Sequence, residues 1–458
     1  MNKEFKSVYG GQEMLLKIPE ENLECVIQPH YEMAKPLANP EQTLMKILDN
    51  PIGTKKLVDM VKPGDKVTLV SSEYMRMPYT WILAPVVVNL LKKACGVKDE
   101  NITLVNAPGT HQNEEEQLAN PIVQKLYGPL SGKHKMVMHD CDKREDLRYM
   151  GITSQGAPVF VNKAVADADV KIGFGELSPH HAAGHCGGGK IINPGCVGRP
   201  TLGSMHRRVL MQRVPGGNHK EWQTGYWGNG RENEVRREIE DTAAVAGLDF
   251  KIDAVTLGPD RGNRELIGIY AGDFVKEYRE GIEQCKMLYG TKAKKADISV
   301  YLSGEAGALM TSIALGPPPR VDQATKEDGI QIYVASGELG YARTVKRPKS
   351  ALVNGKHVAY NPYWMRKSAS DLAWRLMGDI EGSVNLRDLS LMWQTKVTLE
   401  TRKCYLVTQY ANKQLMLDWG FSKIFKSVDE ALADAYKEKG KAARVTVVVG
   451  GQGYYMPA

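Results

Sequence analysis

Short aliphatic and β-branched runs alternate with amphipathic stretches along this chain, and Gly, Pro and Ser breaks separate them. Residues 66–71 (KVTLVS) form a nearly continuous apolar run and predict a buried strand, and a helix is expected over 81–94. Residues 101–106 (NITLVN) predict a second strand, with Gly109-Thr110-His111 just beyond its end. Further strands are expected at 159–161 and 170–174, and the pattern recurs at 297–302, 331–335, 404–408 and 444–449. Strands that are apolar on both faces and alternate with helices point to parallel sheets covered on both sides.

A chain of 458 residues exceeds one ordinary core. Residues 279–286 read as a helix, and 290–295 as a Gly/Lys-rich turn before a fresh strand, so a boundary is expected within 275–295. The expected class is α/β with two domains, each a mostly parallel sheet flanked by helices, and the active site in the interdomain cleft. Residues 1–280 would form the first domain and 290–458 the second, closing over the substrate. In such sheets ligands sit beyond the carboxyl ends of strands. The segments to inspect are therefore 71–76, 109–112, 175–190 and 303–306.

Composition narrows the function only a little. Apolar residues make up 42% and charged residues 25%, as in an ordinary globular protein. The net charge of +7 comes from 60 basic and 53 acidic residues with no long basic tract, so no nucleic-acid partner is expected. The seven cysteines are scattered without a C-x-x-C, which argues against a disulfide framework or a structural zinc site. No run approaches a membrane span and residues 1–17 are polar, so a cytoplasmic location and no membrane partner are expected.

The chemistry concentrates in residues 173–206. His180, His181 and His185 fall within six positions, and Gly184, Gly187, Gly188 and Gly189 precede Lys190. Histidine brings proton transfer or metal ligation near neutral pH. Glycine lets backbone approach a ligand closely. A Gly-rich turn with surface histidines is the plainest reading. Gly184-x4-Gly189-Lys190 satisfies a P-loop pattern, although Ile191 stands where Ser or Thr should bind Mg²⁺. A three-histidine zinc hydrolase is a further reading, although His180 and His185 are not at helical i, i+4 spacing.

Pro179-His180, Ala183-Gly184, Gly187-Gly188, Lys190 and Pro194-Gly195 resemble the P-H-x-x-A-G-x-x-G-G-x-K-x-x-x-P-G signature of the nickel-pincer lactate racemase family. Gly109-Thr110-His111 matches that family's G-T-H, and Glu73 and Arg76 stand in a D-x-x-R-like pair. The resemblance implies nickel and a pyridinium-3,5-bisthiocarboxylic acid mononucleotide, the nickel-pincer nucleotide, covalently tethered to Lys190. It implies His206, sixteen positions on, as the protein's nickel ligand. His111 and His180 would be the acid/base pair and Arg76 would stabilise the substrate oxygen. Glu73, Gly187, Gly188 and Gly189 would bind the cofactor, the glycines through amides near its phosphate. Cofactor-biosynthesis enzymes would be partners, with a small 2-hydroxy acid as substrate.

One departure bears on that substrate. Lactate-type members carry a Tyr-Gln-x-x-Lys motif early in the second domain, and residues 303–317 here contain none. Arg320 and Lys326 are the nearest cations for a substrate carboxylate, and His181 is a candidate substrate contact. The segment 209–232, rich in Gly, Trp and Arg, is a candidate for further contacts. The expectation is a racemase or epimerase of a 2-hydroxy acid other than lactate. The alternatives are a redox enzyme that uses the same cofactor with an external acceptor, and a non-catalytic cofactor-binding homologue.

Overall fold

The computed structural model describes residues 1–76, 78–212, 233–258, 264–308, 313, 318–339, 352–353, 356–357, 365–378, 386–450 and 453–458. The strands of its two large sheets and of an N-terminal hairpin are, in chain order, β1 (Asn2–Tyr9), β2 (Gln12–Pro19), β3 (Leu23–Ile27), β4 (Val67–Ser72), β5 (Ile102–Ala107), β6 (Lys135–Met138), β7 (Val170–Leu177), β8 (Phe250–Leu257), β9 (Glu265–Gly272), β10 (Ala296–Leu302), β11 (Thr325–Val334), β12 (Lys403–Val407), β13 (Lys423–Phe425) and β14 (Val445–Val449). Five helices matter for the site: α1 (Thr80–Ala94), α2 (Arg199–Arg207), α3 (Glu234–Ala246), α4 (Lys276–Tyr289) and α5 (Leu386–Thr401).

The first sheet runs β9-β8-β7-β4-β5-β6. All its neighbours are parallel except the edge strand β9, which is antiparallel to β8. The second sheet runs β13-β12-β11-β10-β14-β3 and is parallel throughout. The expected two-domain α/β class is therefore observed, and the strands read from the apolar runs fall within one to a few residues of their places. Residues β4 and β7 bury are buried on both faces, which is why their sequences are apolar without alternation.

Three expectations need correction. The first domain does not begin at residue 1: β3 pairs with β14 in the second sheet, and Phe5, Leu16 and Ile18 of the preceding hairpin pack with Ile298, Val300 and Val447. This hairpin has alternating apolar positions and buries them on the nearest open sheet face, which belongs to the C-terminal unit. The run at 159–161 lies in a separate two-stranded antiparallel hairpin with residues 147–152, outside the large sheets. The Gly/Lys-rich segment after α4 is a short strand, Gly290–Ala293, parallel to Tyr454–Pro457 near the C-terminus. Its backbone groups find a partner strand more than 150 residues away, which no local pattern can announce.

The two units share a core. Ala182, Ala183, Met205, Val235 and Ile239 from the first pack with Tyr301, Val321, Tyr333, Trp393 and Leu406 from the second. Among the described residues no helix is long and apolar enough to cross a membrane.

The placement of the N-terminal hairpin makes a stability prediction. Leu16 is fully buried in the core of the second sheet, whereas Leu118 is largely exposed on the first unit. Leu16→Ala is expected to cost ~2–5 kcal/mol, seen as a lower denaturant midpoint, and Leu118→Ala to leave the midpoint unchanged. Equal midpoints for the two variants would contradict this packing.

Candidate functional site

Strand order reverses beside β4. The chain builds β5 and β6 on one side of it, then returns to add β7, β8 and β9 on the other. At such a switch point the loops leaving neighbouring strands diverge and open a crevice at their carboxyl ends. Glu73 follows β4, Gly109 to His111 follow β5, and residues 178–190 follow β7. Together with α2 they line one pocket of about 880 Å³, counting the open space at its mouth.

The described lining runs from Ser72 to Lys251 and includes no residue of the second unit. The expected interdomain cleft is thus one-sided: Ala182, Ala183 and Met205 face the pocket and also join the core shared with the second unit. The physical reason is the switch point itself, which makes a crevice within a single sheet.

Glu73 is buried and bridges His111 and Arg76. One carboxylate oxygen, Oε1, contacts His111 Nδ1 and lies 3.3 Å from Arg76 Nε. Arg76 also directs Nη1 to Cys186 Sγ at 3.4 Å. The Cys186 sulfur, with the Glu73 and Glu176 carboxylates behind it, holds the guanidinium firmly charged against the opposing effect of burial. Gly109 has φ +63° and donates its N–H to the Gly195 carbonyl at 2.9 Å. A Cβ there would come within 3.0 Å of the Pro194 carbonyl oxygen, so glycine is what lets the His111 loop close on the loop after Lys190.

His180 opens a short hairpin and caps it. Its Nδ1 accepts the backbone N–H groups of Ala182 and Ala183, each at 3.1 Å. Burial, then the charges of Lys190, His181, Arg76 and Arg236, holds it well below the usual imidazole range. The His181 ring stacks on it with centroids 4.3 Å apart. His206 stands on α2, where Nδ1 donates to the Leu202 carbonyl at 3.0 Å. Nε2 is then its lone-pair nitrogen, the state a metal-binding imidazole needs. Lys190 lies in the tight turn Gly188–Ile191 and lines the pocket.

The glycines before Lys190 serve a different purpose from the one expected. Gly187 lines the pocket, but Gly188 and Gly189 do not. The Gly188 N–H is taken by Asp253 Oδ2 at 2.6 Å. A Cβ on Gly188 would sit 2.9 Å from the Phe274 carbonyl oxygen, and one on Gly189 2.9 Å from the Ala243 Cβ. These residues are small because protein, not ligand, presses on them. Arg236 fastens the same loop from behind. Nearly fully buried over the Tyr278 ring, it donates to the carbonyls of Gly187 (3.1 Å), Ala183 (3.5 Å) and His185. Asn233 caps α3 and donates to the Ala182 carbonyl at 2.9 Å.

The two metal-free or zinc-based readings lose their footing. A P-loop lysine precedes an α-helix, whereas here a 3₁₀ turn follows and the Gly188 amide is occupied. His185 is fully buried against Tyr454, its Nε2 3.5 Å from the hydroxyl, and does not line the pocket. Among the described residues the group of three metal-binding side chains is Asp140, Cys141 and Asp142, away from all three histidines.

One of the sequence-derived carboxylate candidates, Lys326, is not brought to the pocket. Lys326 pairs with Asp297 at 2.7 Å at the amino ends of β10 and β11, opposite the ends where ligands bind. Arg320 lies in the helix Pro318–Ala324, and its side chain lies outside the described residues, as do residues 213–232 of the segment expected to add contacts. Glu176, Cys186, Lys251 and Arg236 were not singled out from sequence. Glu176 and Cys186 sit inside the motif segment and could have been flagged there. Lys251 and Arg236 carry no local signal, because β8 and α3 reach the site only through the sheet order.

The chain is similar to known proteins in sequence and in fold. Residues 9–216 match the family described as lactate racemase N-terminal domain. The chain is 25% identical over 419 residues to lactate racemase of Lactiplantibacillus plantarum, covering 90% of each. It is 24% identical over 296 residues to lactate racemase of Thermoanaerobacterium thermosaccharolyticum, 65% of each. The fold is similar to that of the lactate racemase apoprotein from the latter organism, with TM-score 0.76 and 19% identity over 99% of this chain and 100% of that one. A Thermotoga maritima protein is similar with TM-score 0.58 and 17% identity, over 93% and 100%.

The buried histidines outside the chemistry make a pH prediction. Burial lowers His139 to about 4 and His185 to about 3. Both are neutral in the folded chain, while unfolded imidazoles titrate near 6.5. As pH falls below 6.5 the unfolded state takes up protons first, so stability drops until the folded value is reached. For His139 the drop is ~3 kcal/mol between pH 6.5 and about 4. Urea midpoints should fall over that window, and less steeply in His139→Gln. An unchanged slope in that variant would contradict the assignment.

Proposed function

We propose that this chain, whose residues 9–216 match the family described as lactate racemase N-terminal domain, racemises or epimerises a 2-hydroxy acid with a nickel-pincer nucleotide held by Lys190 and His206. The observation that carries this reading is that His111, His180, Lys190 and His206, from three separate segments, line one pocket.

The residues present fit such a group. His206 has its Nδ1–H committed to a carbonyl, so Nε2 can serve as a ligand, and an imidazole beside sulfur donors suits planar Ni(II). Lys190 sits on a turn whose backbone is held by Asp253 and Arg236, which would give a tethered cofactor a fixed origin. When bound, the cofactor would supply the acceptor and donor of a hydride.

The remaining work falls to side chains of this chain. His111, with Nδ1 turned to Glu73, would use Nε2 to take the proton of the substrate hydroxyl. Arg76, kept charged by Cys186, Glu73 and Glu176, would stabilise the substrate oxygen as the ketone forms and is reduced again. His180 would meet the same substrate from the β7 side of the pocket, with His181 stacked behind it. The substrate we propose is larger or more polar than lactate, such as a sugar acid or a dicarboxylate. Support comes from the absence of Tyr-Gln-x-x-Lys in 303–317 and from the polar lining of Glu73, Glu176, His180 and His181.

Co-expression with cofactor-biosynthesis enzymes tests the assignment. Intact-mass spectrometry is expected to show a mass increase that Lys190→Ala abolishes. His206→Ala should keep the mass increase but lose nickel by elemental analysis. The loaded protein should interconvert stereoisomers of at least one 2-hydroxy acid. An unmodified chain under those conditions would overturn the cofactor reading.

A further inference from the structure

Two of the pocket histidines, His111 and His180, are wired in opposite senses. We infer that, of this pair, His111 is the base and His180 is a fixed hydrogen-bond donor, its proton held on Nε2 by the two amides that occupy Nδ1. The inference deepens the proposed racemase or epimerase reading, and rests on it only for the identity of the substrate.

The argument is one of hydrogen-bond accounting. A backbone amide can only donate, so an imidazole nitrogen that meets two of them must present a lone pair. His180 Nδ1 meets Ala182 and Ala183 N–H at 3.1 Å each. The neutral ring then carries its proton on Nε2. To act as a base through Nε2, His180 would need its proton on Nδ1, facing two N–H groups, and both capping bonds would be lost in a buried turn. To become an imidazolium it would add positive charge beside Lys190, His181, Arg76 and Arg236, the same groups that already oppose it. His111 is the converse. A carboxylate can only accept, so Glu73 takes the Nδ1–H and leaves the lone pair on Nε2. Carboxylate, imidazole and lone pair in that order form an oriented general base.

This division sets the course of the reaction. His111 Nε2 would take the hydroxyl proton as the substrate carbon gives up its hydride, for which the bound cofactor would supply the acceptor, and a C=O bond would form. The oxygen, no longer bonded to hydrogen, accepts from His180 Nε2–H and from Arg76. On return, carbon regains a hydride and oxygen recovers the proton from His111, so no net proton or electron is lost. With the oxygen anchored, the ketone can offer its second face only by turning about the C=O axis. That turn exchanges the carboxylate with the side chain, so the site must tolerate either group in either place. A side chain comparable in size and polarity to a carboxylate meets that demand better than a methyl group does.

Long-range ¹H–¹⁵N correlation spectra of the apo chain, labelled with ¹⁵N-histidine, read the tautomers without any cofactor. Signals missing in His180→Gln and His111→Gln assign the two rings. At pH 7 His180 is expected as a neutral ring protonated on Nε2, and His111 as a ring protonated on Nδ1, that signature being lost in Glu73→Gln. A proton on His180 Nδ1 would overturn the inference. In cofactor-loaded protein, His180→Gln places an amide N–H2 near the former Nε2, so kcat should stay within about tenfold of the parent, the scale of one altered hydrogen bond. His111→Gln should lose about 10²–10⁴-fold, the range for a missing general base. Equal losses in the two variants would also overturn it. A loaded parent protein inactive on every 2-hydroxy acid would sink the proposed activity, while the spectra would still decide the roles of the two rings.

Discussion

The site depends on the reversal of strand order between β4 and β7. Parallel strands all point their carboxyl ends one way, so loops that leave on the same side crowd together, except where the order reverses. There the loop carrying Glu73 turns toward β5 and the loop carrying Lys190 turns toward β8, and a crevice opens between them. Glu73, His111 and His180 lie within it because each is among the first residues beyond a strand end, and Lys190 follows later in the loop after β7.

A crevice alone would not orient side chains, and the second layer of contacts does that. Asp253 on β8 takes the Gly188 amide, and Arg236 on α3 takes three carbonyls of the same loop. Asp253 is itself held by Lys251 in a fully buried ion pair. Glu277 of α4 lies beside it, raised well above the usual carboxylate range by burial and then by the Asp253 charge. The Asp253 charge is matched by one lysine. Removing Lys251 would strand that charge, which is the costly way to break a buried pair.

The second unit acts on the pocket from behind rather than as one of its described walls. Its helix α5 and strands β10 to β12 supply Trp393, Tyr301, Tyr333 and Leu406, against which Ala182, Ala183 and Met205 pack. A shift of one unit against the other would be felt first at the His180 turn and at α2, the helix of His206. Tyr454, near the C-terminus, reaches back to His185 of the same loop. Chemistry and domain packing thus share residues, and substitutions in the second unit can disturb the site without touching a ligand.

Much of this molecule was legible in the residues alone. Apolar runs that ignore the two-residue alternation announced buried parallel strands, and the polar residues just after them announced the site, because both follow from short-range covalent geometry and burial. The spacing of Pro179, His180, Gly187, Lys190 and Pro194 was enough to connect the chain with a family. Tertiary structure decided what local pattern cannot encode: that residues 23–27 complete the C-terminal sheet and the hairpin before them packs against it, that Gly188 and Gly189 are small for Phe274 and Ala243, and that Lys326 belongs to an ion pair at the wrong end of its strand. It also distinguished His111 from His180. Both look alike as letters beside glycines, but one ring faces a carboxylate 38 residues away and the other faces its own turn amides. A histidine's role is set by what its second nitrogen touches, and only the folded chain supplies that partner.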